Sequence, residues 1–570
     1  MSSAKPRTPD LHSTFDHGSQ ANALLAQLAA TLRRGLGDRT KVVAILHPSS
    51  GSRSISQAHP LNPSAILIGL IHDSEHASRL VDHGPAADDL DPSHAEQFRD
   101  FWGDKAELRR FKDGRIVESV VWDVKTSDER AHIPSIIVRY LLARHFGLAE
   151  VAVQSWGAAF DSTLRLPENV AALYHTSAGV SNGFKGAMTA FDHLVKILKA
   201  LDGELPLSLV NVSPISEYLR YTSVFSPVAL STRLATSIPQ CWRYFPAMEI
   251  ILEFEKSGRW PDDLCAIQKI KIALFERVAN ALVNSKENIR ATVVVNDGAG
   301  HSDIRDQSRL EIVTAEGWAF SARIWHDREG TLLNRIIDDK PRFSITSRNL
   351  ESKGKQRQEA LEAWETYTRR FIHAPRHHRA VISLCHRFVA YAGTVRLVKR
   401  WLASHWLLHG HVSEEAVEII CAAFFVGDGG IPSREMAPEG WSGVPSTKER
   451  GFAAVVDFLK DWTWEEPLHV ALYGVGQNNG SSKETTVIAR ANLGAWRVLT
   501  KEDRTGYVWT STGPNMVAAH RVRAIAKATW DYLSRVETGS LDVKVDLHLF
   551  VHNCPVSNCL VAAGIIHPSN

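Results

Sequence analysis

The chain has 570 residues, and its 65 lysine and arginine residues nearly balance its 63 aspartate and glutamate residues. This balance argues against a protein that coats nucleic acid through bulk positive charge, although a local basic face is compatible with it. The 6 cysteines are scattered, which predicts no disulfide framework and indicates a reducing compartment. The apolar runs are too short to cross a bilayer, so no membrane partner is predicted.

Changes of pattern along the chain divide it into a lead-in and four predicted domains. Residues 1–17 are polar and proline-bearing, which predicts a disordered lead-in. A sequence of this length holds about three to four domains of ordinary size. The predicted domains cover residues 18–150, 151–350, 351–480 and 481–570.

The first predicted domain, 18–150, is of the α/β type. Helical patterns at 20–34 and 93–102 alternate with buried strands at 41–46 and 65–71. A hairpin follows, and Asp113-Gly114 forms its turn because both residues tolerate positive φ. Four basic side chains near this turn could contact RNA phosphates, although a charged hairpin tip is commonly only solvated. They are Arg109, Arg110, Lys112 and Arg115.

The second predicted domain, 151–350, is a mixed sheet flanked by helices. Phe191, Leu194 and Leu198 follow helical spacing, which predicts an amphipathic helix at 184–201. A strand ending in a serine and proline turn follows this helix. The later predicted elements are a strand within 248–263, a helix at 264–283, and strands at 291–295, 309–313 and 318–325.

Two carboxylates stand on the predicted strand at the start of 248–263. Glu253 and Glu255 share one face of an extended chain, with side chains about 7 Å apart. Paired carboxylates at this spacing can hold a divalent ion in two-metal phosphoryl chemistry. The alternative is a strand end whose acids meet solvent or pair with Lys256 or Arg259.

The third predicted domain, 351–480, is helical, and a last small α/β unit follows at 481–570. Helices are predicted at 356–372, 380–391 and 394–408. The last of these places Lys399 and Arg400 beside a tryptophan-rich core face. These two side chains could reach an RNA phosphate, or they could lie on the wet side of a buried helix.

Two further patterns are weak evidence for a cofactor or a metal. The glycine string at Gly474, Gly476 and Gly480 does not open a helix within a βαβ unit, so no dinucleotide is predicted. Cys554 and Cys559 form no paired CxxC motif, so no zinc site is predicted. We therefore predict no cofactor.

Long strings spread along the chain are its most specific feature. They include FWGDKAELRRFKDGRIVESVVWD at 101–123, ELPLSLVNVSPISEYLRYTSVF at 204–225, EFEKSGRWPDDLCAIQKIKIA at 253–273 and the long string at 496–529. The sequence resembles the Nrap family, the nucleolar RNA-associated proteins of the small-subunit processome. The similarity runs from about residue 23 to residue 549.

The resemblance implies an α+β multidomain chain with a nucleotidyltransferase-like domain, a helical poly(A)-polymerase or oligoadenylate-synthetase-like domain, and small α/β domains. Family members carry this arrangement twice, so 18–150 would close the first repeat and the rest would form the second. The expected location is the nucleolus. The expected partners are other subunits of a processome subcomplex, among them an RNA-binding subunit and casein kinase two, with pre-ribosomal or small nucleolar RNA.

Active members of the nucleotidyltransferase superfamily carry a Gly-Ser pair after the first strand, an Asp-x-Asp pair, and a third carboxylate. In this sequence the corresponding turn, 213–216, is Ser-Pro-Ile-Ser, which has no glycine. Glu253 and Glu255 fall beyond the position of the pair, and only Glu311 or Glu316 could supply the third acid. We therefore predict a catalytically inactive scaffold of ribosome biogenesis. The alternatives are an active RNA nucleotidyltransferase using two divalent metals, and a module that mainly binds RNA.

Overall fold

The computed structural model has three hydrophobic cores, and the third collects side chains from before and after the central one in sequence. Helices and strands are both present in number, as the predicted α+β class requires. Among the described residues no single helix is long and apolar enough to cross a membrane, and one helix pair bent by 120° meets that test only jointly. The described residues are 17–46, 66–89, 91–124, 127–149, 152–153, 155–166, 183–229, 247–285, 287–295, 302–338, 347–426, 443–473, 494–511 and 513–537.

The N-terminal core lies between helices and two small antiparallel sheets. The predicted hairpin is confirmed, since Arg110 pairs with Ile116 across its turn. The prediction that the second strand is buried is wrong, because Leu67 and Ile71 are 45% and 39% exposed. Its elements are α1 (His17–Leu36), β1 (Thr40–Leu46), β2 (Leu67–His72), β3 (Val81–Ala86), α2 (Pro92–Trp102), β4 (Ala106–Arg110), β5 (Ile116–Val121), α3 (Ser127–Ala131) and α4 (Ile133–Phe146).

The central core is built on a mixed sheet of five strands, in the order β6-β7-β10-β9-β8. Only β7 and β10 pair in parallel; the other neighbours are antiparallel. Its helices bury apolar stripes against the sheet, as the spacing of Phe191, Leu194 and Leu198 predicts. The helix α5 (Trp156–Thr163) precedes this sheet in the chain, but its Phe160 belongs to the third core. The elements of the central core are α6 (Gly183–Ala200), β6 (Leu209–Pro214), β7 (Ala247–Phe254), α7 (Leu264–Asn284), β8 (Arg290–Val294), β9 (Arg309–Val313), β10 (Ala319–Trp325), α8 (Asp327–Asp338) and α9 (Ser347–Tyr367).

The third core is mainly helical and collects side chains from residues 160 to 533. Ser413 caps one of its helices, because its Oγ accepts a hydrogen bond of 3.1 Å from the amide of Ala416. Leu468 and Val498, on either side of residue 480, belong to this one core, and the domain boundary there stays a prediction. After a π-helical turn at Thr368–His373, the elements are α10 (Ala374–Arg387), α11 (Val389–Ser404), α12 (Glu414–Ala422), α13 (Lys448–Asp461), β11 (Leu468–His469), β12 (Val498–Leu499) and α14 (Met516–Glu537).

Candidate nucleotidyltransferase-like site

The turn that follows β6 lies at the beginning of β7, because the two strands are antiparallel. Pro214, the last residue of β6, is opposite Ile250, and the amide of Ile215 donates a hydrogen bond of 3.1 Å to the carbonyl of Glu249. A short 3-10 helix, Glu217–Arg220, continues from the turn. Any ligand held by this turn would therefore face the amino end of β7.

The turn itself is poorly suited to hold a triphosphate. Pro214 has no amide hydrogen, and the amide of Ile215 is already bonded to a neighbouring strand. The hydroxyl of Ser216 accepts a hydrogen bond of 3.3 Å from the amide of Tyr218 and so caps the helix that follows. That helix begins with the carboxyl group of Glu217, whose pKa is raised to about 8 by burial and by the charge of Glu414. A phosphate-binding cradle needs open backbone amides, and these groups do not provide one.

Glu253 and Glu255 lie at the opposite end of β7 from this turn. Glu253 is opposite Asn211 of β6, and the amide of Glu255 donates a hydrogen bond of 2.9 Å to the carbonyl of Ser208. Glu253 is three positions after Ile250 along the strand, which is a distance of about 10 Å. The two acids are therefore too far from the turn to share a metal ion with a triphosphate bound there.

The acid that does lie beside the turn is Glu249. It is opposite Ser321 of β10, and Ser321 is opposite Glu311 of β9. A serine therefore separates two acids whose backbones are about 10 Å apart across three strands. The carboxylate of Glu311 also accepts a hydrogen bond of 3.0 Å from Nε of Arg309. Glu316, the other candidate third acid, is exposed in the turn between β9 and β10.

Glu249 was not predicted from the sequence, and only the antiparallel register of β6 and β7 reveals its position beside the turn. A signal was available in principle, because the turn residues 213–216 must meet the start of an antiparallel neighbour. In the part of the chain that the structure describes, no group of three or more His, Cys, Asp or Glu side chains could hold a metal ion. The glycine string at 474–480 and the cysteines at 554 and 559 lie outside the described residues.

The basic side chains of the β4–β5 hairpin are exposed, as expected for a surface contact. Arg109 is 46% exposed and lies 2.6 Å from the carboxylate of Glu107, and Arg115 is 76% exposed and lies 2.6 Å from that of Asp113. The two ion pairs leave less net positive charge at the tip than the sequence suggests. Arg110 and Lys112 are also exposed, and an RNA contact by the four residues stays a proposal.

Lys399 and Arg400 are buried, which contradicts their assignment as RNA contacts. Lys399 is 0% exposed, and its Nζ is 2.7 Å from both the Glu414 and Glu418 carboxylates. Arg400 is 4% exposed, and its Nε donates a hydrogen bond of 3.2 Å to the carbonyl of Thr163. The amphipathic pattern of α11 does not show this, because neighbouring elements cover its polar side as well.

Lys399 belongs to a buried ion cluster that joins the β6 turn to the helical core. Glu418, which is 0% exposed, accepts hydrogen bonds from Arg220 Nε at 2.9 Å and from Thr222 Oγ1 at 2.6 Å. His377 Nε2 lies 2.5 Å from the same carboxylate. Burial alone would raise the pKa of Glu418, but the charges of Arg220 and Lys399 hold it well below its usual range. The cluster is therefore a structural joint, since its charged groups all have partners within it.

A second buried cluster lies between α7, α8 and the segment before β9. Lys271 Nζ is 2.6 Å from Glu329 and 3.2 Å from Asp306. Burial raises the pKa of Glu329, whereas the pKa of Asp306 is lowered because the charges of Lys271 and Arg370 outweigh the effect of burial. These acids are neutralised by basic side chains, so they do not form an open site for a catalytic metal.

Taken together, the fold is that of a nucleotidyltransferase-like sheet joined to a helical domain, with its acids dispersed along the strands instead of gathered beside the turn. Three family models match consecutive parts of the chain. "Nrap protein domain 3" matches residues 2–147, "Nrap protein nucleotidyltransferase domain 4" matches 159–386, and "Nrap protein PAP/OAS1-like domain 5" matches 388–552. The chain belongs to the Nrap family.

Curated relatives agree with this assignment. The chain is 27% identical over 527 residues to Nucleolar protein 6 of Mus musculus. This alignment covers 89% of the chain and 42% of the mouse protein. It is 28% identical over 515 residues to U3 small nucleolar RNA-associated protein 22 of Schizosaccharomyces pombe, covering 87% of the chain and 42% of the relative. The Saccharomyces cerevisiae protein of the same name is 29% identical over 482 residues, 83% of the chain and 36% of the relative. The chain thus spans less than half the length of these relatives.

Proposed function

We propose that this chain is a non-catalytic scaffold of ribosome biogenesis that works in the small-subunit processome of the nucleolus. Family membership supports the pathway, because the similar proteins are named as nucleolar and as associated with the U3 small nucleolar RNA. The observation that carries the non-catalytic part is the register of β6 and β7, which puts Glu253 and Glu255 at the wrong end of the strand.

Two-metal catalysis requires carboxylates that surround two ions only about 3.5–4 Å apart, next to the bound phosphates. Here the acid beside the turn is Glu249, its neighbour on β10 is Ser321, and Glu253 lies about 13 Å further along β7. The degenerate pair Glu253 and Glu255 therefore binds no metal in this proposal. Within the described residues, no group of acids that could hold a metal ion supports the first alternative, an active nucleotidyltransferase.

The proposed partners follow from the family. They are protein subunits of a processome subcomplex, including an RNA-binding subunit and casein kinase two, together with pre-ribosomal RNA or small nucleolar RNA. A module that mainly binds RNA remains the second candidate function. The exposed hairpin residues Arg109, Arg110, Lys112 and Arg115 support it, although two of the four are paired with acids.

A depletion and rescue experiment in cells tests the proposal. The endogenous protein is depleted, 18S rRNA precursors are followed by hybridisation, and the protein is re-expressed as wild type or as a Glu249→Ala, Glu253→Ala, Glu255→Ala triple variant. A scaffold predicts that depletion raises unprocessed precursor and that both forms restore processing from the nucleolus. A triple variant that is present at normal levels but fails to restore processing would favour catalysis. Normal processing after depletion would overturn the assignment to this pathway.

A further inference from the structure

Residues 366–413 form a strongly one-sided charge segment. They contain no aspartate or glutamate, whereas 63 acids in 570 residues would place about five in a stretch of this length. The same stretch contains lysine or arginine at eight positions. These are Arg369, Arg370, Arg376, Arg379, Arg387, Arg396, Lys399 and Arg400. Such a bias in a chain of balanced charge indicates either that buried acids require cationic partners or that the segment binds an anionic ligand.

The structure separates these cations by burial, and Arg369 and Arg370 are only partly buried. Arg396, Lys399 and Arg400 are buried in the helical core, where Glu414, Glu418 and backbone carbonyls account for them. Three others are exposed, and all three lie on α10. They are Arg376, Arg379 and Arg387.

The exposed residues of α10 share one face of the helix. Arg376, Arg379, Ser383, His386 and Arg387 follow one another at intervals of three or four residues, with one adjacent pair at the end. From the first to the last, the face extends about 16 Å along the helix axis. Each of its side chains can donate hydrogen bonds, and none carries a negative charge.

Among the described residues, few groups compete for these donors. Arg376 Nη1 is 2.8 Å from the carboxylate of Glu502, and the guanidinium of Arg387 stacks on the ring of Phe388 at 4.9 Å. Within the described residues, the structure shows no ion pair for Arg379. A guanidinium stacked on an aromatic ring keeps its in-plane donors directed outward, where they match two oxygens of one phosphate.

We propose that this basic face of α10, made of Arg376, Arg379, Ser383, His386 and Arg387, binds the phosphodiester backbone of RNA. The choice of RNA rests on the proposed function in ribosome biogenesis; the presence of a polyanion site rests on the charges alone. Contacts to phosphate oxygens carry no sequence information, so we expect this face to bind RNA without sequence preference.

An acidic protein segment is the competing ligand, and the composition of the face disfavours it. Tight protein contacts depend on apolar or aromatic anchors that fill pockets of the partner. The exposed positions of α10 are arginine, serine and histidine, so they offer no such anchor. Contacts from arginine and serine to phosphate oxygens are, in contrast, sufficient to hold a nucleic-acid backbone.

Fluorescence anisotropy with a labelled single-stranded RNA of twenty nucleotides tests the proposal on the purified protein between 50 and 200 mM salt. An Arg379→Gln, Arg387→Gln double variant removes two phosphate contacts. We expect the slope of log K against log salt to become shallower by about 1.4, and affinity at 150 mM salt to fall about tenfold. The conservative Arg379→Lys, Arg387→Lys variant keeps both charges and should retain the slope.

The matched control is Lys269→Gln, Arg277→Gln on α7, which removes the same charge from two exposed side chains that have no proposed RNA contact. It should change the slope less than the α10 variant does. An unchanged slope in the α10 variant would overturn the proposal, and so would displacement of RNA by polyglutamate at equal charge concentration. Since purified protein and RNA are the only components, this outcome is independent of the rescue experiment that tests the processome role.

Discussion

Replacing Arg220 by methionine would break the joint between the β6 turn and the helical core. Arg220 is 2% exposed, and its guanidinium donates hydrogen bonds to the Glu418 carboxylate at 2.9 Å and to the Ile215 carbonyl at 2.5 Å. Methionine keeps the apolar stem but removes both bonds. The fully buried Glu418 then depends on Lys399, Thr222 and His377 alone.

The expected loss of unfolding free energy arises because the buried carboxylate of Glu418 is left with one cation fewer. Removing one partner of a buried ion pair costs about 3–5 kcal/mol. Lys399 still contacts Glu418 at 2.7 Å, so we expect the lower end, about 3 kcal/mol. With a urea dependence of about 3 kcal/mol per molar, the unfolding midpoint should fall by about 1 M.

Urea unfolding followed by tryptophan fluorescence measures this loss, with Arg277→Met as the control because Arg277 is exposed on α7. The control should change stability by no more than about 0.5 kcal/mol. Adding Glu418→Gln to Arg220→Met should cost less than the two single changes together, since no unpaired carboxylate remains. If Arg220→Met shifted the midpoint no more than Arg277→Met, the argument for a structural joint would be refuted.

Four further substitutions have expected effects on the urea midpoint. Burial lowers the pKa of His378 to about 3, so folding is most favourable above the unfolded pKa of about 6.5. Between pH 6.5 and pH 5, the free energy of unfolding of the wild type should fall by about 2 kcal/mol more than that of His378→Gln. If the unfolding free energies of the two proteins changed in parallel with pH, this prediction would be contradicted. Gly451→Ala should cost about 1–3 kcal/mol because the new methyl group overlaps Thr394, whereas Gly354→Ala meets nothing within 4 Å and should stabilise by up to about 1 kcal/mol. Ser413→Ala should cost about 1 kcal/mol through its lost helix cap, and an unchanged midpoint would show that the cap contributes nothing.

Elements with a local signal could be predicted from the sequence. The strand at Arg309–Val313 has the predicted bounds, and helix Leu264–Asn284 begins at the predicted residue, where the Asp263 carboxylate accepts a hydrogen bond of 2.8 Å from Ala266. Apolar spacing and capping residues act over a few positions, so they are visible without knowledge of the fold. The strand Val81–Ala86 was not predicted, because Gly84 and Pro85 interrupt any alternating pattern.

The candidate site depends on pairing between distant residues, which the sequence does not display. Glu253 looks like a metal ligand on its own strand, and only its position opposite Asn211 shows that it is far from the turn. Burial of Lys399 likewise comes from Glu414 and Glu418, which approach it from another helix. Tertiary packing decided both outcomes, and neither follows from the periodicity of a single element.

Incorporation of labelled nucleotide is the most direct test of the central claim that this nucleotidyltransferase-like fold is not catalytic. Purified protein is incubated with each nucleoside triphosphate, magnesium or manganese, and a short RNA. We predict incorporation no greater than that of a heat-inactivated sample, because Glu253 and Glu255 lie at the opposite end of β7 from the turn after β6. Incorporation that disappears in a Glu253→Ala, Glu255→Ala double variant would contradict the account.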